Sequence, residues 1–485
     1  MKDHSAAKTL MILIALTLFA ILVQGYHPGV EDDGVYLAAI KKDLNPALYP
    51  HDADFFRLQL QATIFDKLIA GSIRLTHLPP GVTILLWQFV SVFLILWGGL
   101  RISRRVFVET HAQWAAVVFI AALLTLPVSG TALYLDDQYL HPRALATAAI
   151  LAAVIAVLDR RRVLTGFLLA LAVVMHPLMA SFGISYCIFL YWRRADKPSI
   201  FSAAAMLPLG WVLQPTSPAW RQAVSTRDYY FLSRWHWYEW LGVIAPLCLL
   251  WGIYRLARKN GSMVQAHVAS RLLLFGVFQL AVAVAIMLPS SLDRLKPFQP
   301  MRFLHLFYLI FLLLAGGLIG QRILGRHLYR WLLLFVPLSA GMFWAQRQTF
   351  PATAHLEWPS AKPRNSWVEA FEWIRQNTPS DSFFAVDPYY MELPGEDFHS
   401  FRALAERSAL ADYVKDASVA TQVPSLAVRW KEEVDAQKEW RNFRAEDFQH
   451  LKSSYGVNWV VLALPGVKGM SCPFQNSRVL VCRLE

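Results

Sequence analysis

Apolar blocks of about 16–24 residues alternate along this chain with tight clusters of Arg and Lys, and that alternation leaves little freedom of fold. A helix of about 20 apolar residues crosses the ~30 Å hydrocarbon layer. Helices and closed barrels are the structures that satisfy every backbone polar group there. About eleven blocks read as spans, near 9–25, 81–100, 112–131, 143–158, 163–175, 178–192, 201–214, 240–255, 267–288, 302–320 and 331–347. Every second block is closed by a basic cluster: Arg101/Arg104/Arg105, Arg160/Arg161/Arg162, Arg193/Arg194/Lys197, Arg255/Arg258/Lys259 and Arg322/Arg326/Arg330. Basic residues in short loops stay on the cytoplasmic side. The pattern therefore predicts an N-terminus inside and a multi-pass protein of the cytoplasmic (inner) membrane. It leaves 26–80, 132–142, the turn at His176-Pro177, 215–239, 289–301 and everything after about 348 outside.

Composition agrees with this reading. Of 485 residues 56% are hydrophobic and only 16% charged, too few charges for a soluble chain of this length. The net charge of +12 would suggest nucleic acid, but the charges sit in the span-closing clusters. No aromatic-interleaved basic tract or zinc-finger spacing supports a nucleic-acid partner. The first block is followed by no small-residue cleavage motif and reads as a retained anchor. Cys187 and Cys248 lie in apolar spans, while Cys472 and Cys482, near the C-terminus, are either paired or free.

The expected fold is an α-helical polytopic membrane protein with a small C-terminal extracytoplasmic α/β domain. Residues 1–350 form the transmembrane part, with a long first outside loop at 26–80, and 351–485 form the outer domain. In the first loop, Gly34–Leu44 has helical spacing, and Asp54–Leu78 places Phe56, Leu60, Ile64 and Leu68 on one face of an interfacial amphipathic helix. Beyond residue 350, Ser366–Asn377 and Ala445–Tyr455 read as helices, the second ending near Gly456. Ser382–Val386, Val457–Leu464 and Arg478–Leu484 read as strands.

Chemistry concentrates in the outside loops. Glu31, Asp32 and Asp33 follow the first span directly, where an ionised carboxylate loses hydration. One reading is a catalytic carboxylate, Asp32 first and Glu31 next, with a pKa raised by crowding and acting as general base. The other is a helix start, with Asp33 as cap and acids placed favourably in the first turn. The second loop holds Asp136, Asp137 and His141, a second acid or acceptor site together with His176 at the helix break. Arg227, Arg234, Arg294 and Arg302 run against the positive-inside trend and suit a lipid phosphate, which guanidinium groups bind bidentately. Plain salt bridges or lipid headgroups are the alternative. No cofactor is certain; a divalent cation, Mg or Mn, is a candidate without compact ligand spacing. No Walker loop, dinucleotide fingerprint or Gly-x-Ser-x-Gly elbow is present.

This layout resembles the C-type (GT-C) membrane glycosyltransferases, which combine many spans, a long first outside loop and an acid near its start. Tyr26-His-Pro-Gly-Val-Glu-Asp-Asp-Gly-Val-Tyr-Leu37, Leu48-Tyr-Pro50 and Met175-His-Pro-Leu-Met-Ala180 also look like uncharacterised bacterial members of that type. The resemblance implies sugar transfer from a polyprenyl-phosphate carrier outside the cytoplasm. The donor would be a lipid-linked sugar, the acceptor a glycan, lipid or protein, and membrane lipids the surroundings. It carries Glu31-Asp32-Asp33 over as the first-loop acid, Asp136/Asp137 as a second acid and the late basic loops as the phosphate site. A transporter or flippase, or a non-catalytic scaffold, remains as the rival. A transferase predicts one outward cavity where early acids and late arginines converge.

Overall fold

The computed structural model describes residues 2–192 and 216–485. The predicted span at 201–214 and the basic cluster at 193–197 lie outside the described residues. Six of the described helices are long and apolar enough to cross a membrane: Ala6–Gln24, Pro80–Val106, Trp237–Lys259, Met263–Met287, Pro300–Leu324 and Leu328–Thr349. Four shorter apolar helices, Thr110–Ala122, Pro142–Leu158, Arg162–Met175 and Pro177–Tyr191, stand beside them. These coincide with the other predicted spans. Thr110–Ala122 is shorter than its apolar block 112–131: it caps at Leu123, and Pro127 prevents the helix from resuming. The chain instead enters a hairpin of β1 (Pro127–Val128) and β2 (Leu133–Tyr134). Asp136 N–H then closes back on the Leu124 carbonyl at 2.7 Å.

Arg162–Met175 and Pro177–Tyr191 are half-length helices that meet at His176, whose φ of −156° leaves the helical region. The basic ends of the second and fourth spans lie together through the Arg105–Asp159 ion pair, and Arg104 reaches Thr9 at the start of the first span. Helix Phe303–Ile319 is buried over nearly its whole length and forms the centre of the bundle. A helix apolar all round belongs in such a place. At Gly316 a Cβ would meet Phe119 at 2.6 Å, so only glycine permits this approach to Thr110–Ala122.

The C-terminal part is built on a five-stranded sheet, ordered β4-β3-β5-β7-β6. Strand β3 (Phe383–Val386) runs parallel to β4 (Ser408–Ala409) and β5 (Trp459–Ala463). Strand β7 (Val479–Arg483) lies antiparallel between β5 and β6 (Ser471–Gln475). Alternation sends Phe384, Val461 and Val481 to one face, against Trp367, Phe371 and Ile374 of the helix Ser366–Asn377. Phe383, Val460 and Leu480 go to the other, against Phe448 and Leu451 of Ala445–Tyr455. Both helices fall where the sequence places them, the second ending at Gly456 with φ 80°. Cys472 and Cys482 are joined across β6 and β7. Short polar elements, among them the helices Asp416–Gln422 and Ala427–Ala436, carry no strong periodicity and emerge only in the structure.

Two expectations for the first loop need correction. Asp54–Leu78 is two helices, Asp54–Leu60 and Phe65–Thr76, broken where Ile64 N–H turns to the Val174 carbonyl at 3.0 Å. Nor is its apolar face left to a membrane surface: Phe56 and Leu60 are buried and Leu68 is half-buried, while Ile64 is exposed. Phe55, Phe56, Phe65 and Ile69 are buried in a core shared with Trp220, Ala403 and Trp430, so the C-terminal part takes up that face.

Polar ties complete the docking. Ser400 N–H donates to Gly29 O at 2.8 Å and Glu31 N–H to Phe398 O at 3.0 Å. Glu357 takes His27 Nδ1 at 2.7 Å and His399 Nε2 at 3.3 Å. Burial pushes the Glu357 carboxyl up, but the two imidazoles outweigh it and hold it at about 2, against an ordinary 4.5. Burial pushes His399 down, and Glu357 outweighs that, raising it from 6.5 to about 9. The carboxylate's share of stability is present above pH 4.5 and lost as pH falls toward 2; the imidazole's is present below 6.5 and lost as pH rises through 9. Glu357→Gln should therefore lower Tm most between about pH 4.5 and 6.5, with the gap from the parent closing on either side. Thermal unfolding across pH checks this; an equal gap at alkaline pH would refute it.

Candidate active site

A cavity of about 1950 Å³ is walled by segments far apart in the chain. The first loop gives Glu31, Asp32 and Tyr36, and the second gives Asp137, Tyr139 and His141. His176 stands at the helix break, and Arg227, Arg234, Arg294 and Arg302 come from the later loops. Lys415 joins them from the C-terminal part.

Asp33 and Asp136 do not line this cavity. The Asp33 carboxylate turns back to accept Gly29 N–H at 2.6 Å, and burial pushes it up to about 7. Gly29 makes that turn at φ 86°, where a Cβ would meet Leu404 at 2.9 Å. Asp33 is thus a buried turn residue, neither a cap nor a cavity acid. Asp136 is buried with no partner for Oδ2 among the described residues, and burial, then Asp137, push its carboxyl well up. Asp32 and Asp137 thus face the cavity while their chain neighbours Asp33 and Asp136 are turned into the interior.

Asp32 is the N-cap residue of the helix Asp33–Leu44, yet its side chain caps nothing. Its carboxylate is 39% exposed, toward the cavity. Its N–H donates to Tyr139 Oη at 3.3 Å. The expected upward pKa shift is not found. Burial pushes upward, but Lys415, Arg302 and Arg143 outweigh it and hold the group at about 2. Lys415 Nζ lies 3.3 Å from Asp32 Oδ1 and in direct contact with Glu31 Oε2. Glu31 adopts a left-handed φ of 52°.

His141 Nδ1 accepts Arg143 N–H at 2.9 Å, which puts the ring hydrogen on Nε2, 3.9 Å from Asp32 Oδ2. Burial, then the Arg143 charge, hold His141 well below its ordinary range, so it is neutral. Tyr36 meets its ring edge-on at 4.7 Å and His176 stacks at 6.0 Å. Arg143, itself buried, pairs with the Asp137 carboxylate, and Gln88 Nε2 holds the Asp137 carbonyl at 2.9 Å.

On the basic side, Arg227 donates to the Val414 carbonyl. Arg234 pairs with Asp228 at 2.6 Å, covers the Phe231 ring at 4.5 Å and lies partly exposed on the rim. Arg302 opens the central helix, and its buried Nε has no hydrogen-bond partner among the described residues. Arg294 lines the same wall. The arrangement sets fixed cations beside an ionised carboxylate, as transfer of a group from a phosphate leaving group requires.

The candidate Mg or Mn site does not fit these residues. Among the described residues no three His, Cys, Asp or Glu side chains gather as a metal site. The neighbouring carboxylates of Glu31 and Asp32 already share an ammonium group. Sequence reasoning missed Lys415, an ordinary lysine in a segment read as part of a separate domain, and no pattern in the chain marks it.

A family described as a domain of unknown function (DUF6798) matches residues 365–436. No curated protein matches the chain. Among solved structures it is similar to archaeal oligosaccharyltransferase AglB from Archaeoglobus fulgidus, in complex with an inhibitory peptide and a dolichol-phosphate. Identity there is 11% over 94% of this chain and 69% of that chain, with a TM-score of 0.50. A crystal structure of the Archaeoglobus fulgidus oligosaccharyltransferase in complex with Zn and sulfate is also similar, at 11% identity over 94% of this chain and 67% of that one, with a TM-score of 0.44. At such identity the likeness speaks of fold. The chain is an α-helical polytopic membrane protein with a small C-terminal α/β domain, folded along the lines of that oligosaccharyltransferase.

Proposed function

We propose that this protein is a membrane glycosyltransferase that moves a sugar from a polyprenyl-phosphate carrier to an acceptor hydroxyl at the outer face of the cytoplasmic membrane. The observation that carries the reading is the convergence, in one cavity, of Asp32 from the first loop with Arg227, Arg294 and Arg302 from the late loops. Three further points support it. Most of the cavity wall comes from the segments assigned to the outside, with span ends such as Arg143, Gly242 and Tyr308 completing it. The Cys472–Cys482 bridge suits an oxidising compartment. The neighbour of like fold was solved with a dolichol-phosphate, a lipid phosphate of the proposed carrier class.

In the proposed step the acceptor O–H gives its proton to the Asp32 carboxylate while its oxygen bonds the anomeric carbon. The bond from that carbon to the carrier phosphate breaks, and its electron pair leaves on phosphate oxygen. Arg302 and Arg227, with Arg294 and Arg234, meet the charge of the departing phosphate. Attack opposite the leaving group inverts the sugar. Asp137, fixed by Arg143, and the neutral His141 and His176 form the wall on which the acceptor rests.

The test is release of label from a panel of radiolabelled polyprenyl-phosphate sugars by the purified full chain. Turnover of at least one donor is expected. Arg302→Ala and Arg227→Ala should each weaken donor binding about 10–100-fold, the range for a charge-assisted hydrogen bond, with Tm nearly unchanged. Intact donor affinity in both variants would replace the phosphate pocket by ordinary headgroup contact. Binding of every donor without any turnover would favour a transporter.

A further inference from the structure

We propose that Lys415 is the cation of this site, a positioning residue that holds the Glu31 and Asp32 carboxylates where a divalent metal would otherwise bridge them, so that transfer needs no metal. This rests on the glycosyltransferase reading above.

The geometry carries it. Two carboxylates adjacent in the chain face one cavity and repel each other unless a cation lies between them. Lys415 Nζ is that cation, in contact with Glu31 Oε2 and 3.3 Å from Asp32 Oδ1. An ammonium group is a compact point charge with three donors, and two of them serve these acids. A divalent ion such as Mg is commonly held by one or two carboxylates with water and substrate phosphate; here the ammonium group occupies the place between the two acids. Asp137, another acid on the cavity wall, is already committed to Arg143.

The lysine is not a loose surface chain. Its side chain is 13% exposed. Its own N–H donates to Asp412 Oδ1 at 2.5 Å, and Asp412 N–H donates to Asp416 Oδ2 at 2.9 Å. Asp416 is clamped by Arg402 at 2.7 Å. Trp430 Nε1 holds the Asp412 carbonyl at 3.0 Å. Burial opposes the charge on Lys415, but Glu31 and Asp32 outweigh it and hold the ammonium well above its ordinary range. Lys415 and the cavity-lining residues Ser418 and Thr421 all fall inside the segment that matches the domain family of unknown function. The inference gives that segment a task in this chain: it delivers the cation and completes the cavity.

Four measurements on the purified full chain decide it. Wild type should show no stoichiometric Mn(II) by electron paramagnetic resonance and should transfer at an unchanged rate in EDTA. Lys415→Met should lose on the order of 10²-fold in transfer, and Lys415→Arg should restore a large part. In Lys415→Met the acid limb of the pH–rate profile should move to higher pH, because Asp32 loses its strongest opposing charge. A merely structural lysine would not move that limb. One tightly held Mn(II) per wild-type chain, lost in Asp32→Asn, would overturn the inference, as would wild-type transfer by Lys415→Met. Should Lys415→Met fail to fold, the EDTA and Mn(II) measurements on wild type still decide. The Mn(II) measurement needs no turnover, so its outcome is independent of whether a donor is found.

Discussion

Asp32→Asn is expected to cut transfer by on the order of 10²-fold or more, the usual loss when a positioned proton acceptor is removed, with the protein still folded and inserted. The substitution keeps shape and removes charge. It should cost little structure, because the Asp32 side chain caps no helix and faces the cavity. The backbone hydrogen bond to Tyr139 Oη survives the change. With its carboxyl held at about 2, Asp32 is ionised across the physiological range, so wild-type activity should show no acid limb from this group above about pH 3. Glu31→Gln should lose less, since Glu31 shares Lys415 but has no neutral imidazole beside it. Radiolabel transfer by both variants is the check. Near-normal turnover in the two together would end the mechanism and favour a transporter or scaffold.

Arg402→Met should destabilise the docked C-terminal part by about 3–5 kcal/mol, the range for stripping one partner from a buried ion pair. Arg402 is buried between two carboxylates of different segments, contacting Asp52 of the first loop through Nε and Asp416 through Nη1 at 2.7 Å. Nη2 also reaches the Ala409 carbonyl at 3.2 Å. Methionine keeps much of the volume and leaves the buried Asp52 and Asp416 carboxyl groups without their guanidinium partner. Thermal unfolding, together with hydrogen exchange over 41–60, reads the loss. Adding Asp52→Asn and Asp416→Asn should recover most of it, because the penalty lies in the unpartnered buried carboxyl groups rather than in lost volume. A loss below about 1 kcal/mol for Arg402→Met alone would show that water reaches the cluster.

Much of the architecture was legible in the chain because its causes are local. Whether a block such as 81–100 is long and apolar enough to cross a membrane depends on its own residues, and the helix Pro80–Val106 stands there. Ser366–Asn377 and Ala445–Tyr455 carry their periodicity and stop signals within themselves. The gathering of Glu31, Asp32 and Asp137 with the late arginines follows from the alternation of spans, which returns every second loop to the same end of the bundle. What tertiary structure alone decided is finer and chemically more consequential. The turn at Gly29 and the return of the Asp136 backbone onto Leu124 send Asp32 and Asp137 into the cavity and leave Asp33 and Asp136 out. The Asp54–Leu78 stretch has an interfacial pattern, but burial against Trp430 and its neighbours claimed Phe56 and Leu60 from its apolar face. The direction of the Asp32 pKa shift reversed because its neighbours in sequence are acids while its neighbours in space are Lys415, Arg302 and Arg143. Lys415, 383 residues from Asp32, has no local signature, and its role comes from the charge that folding sets beside it.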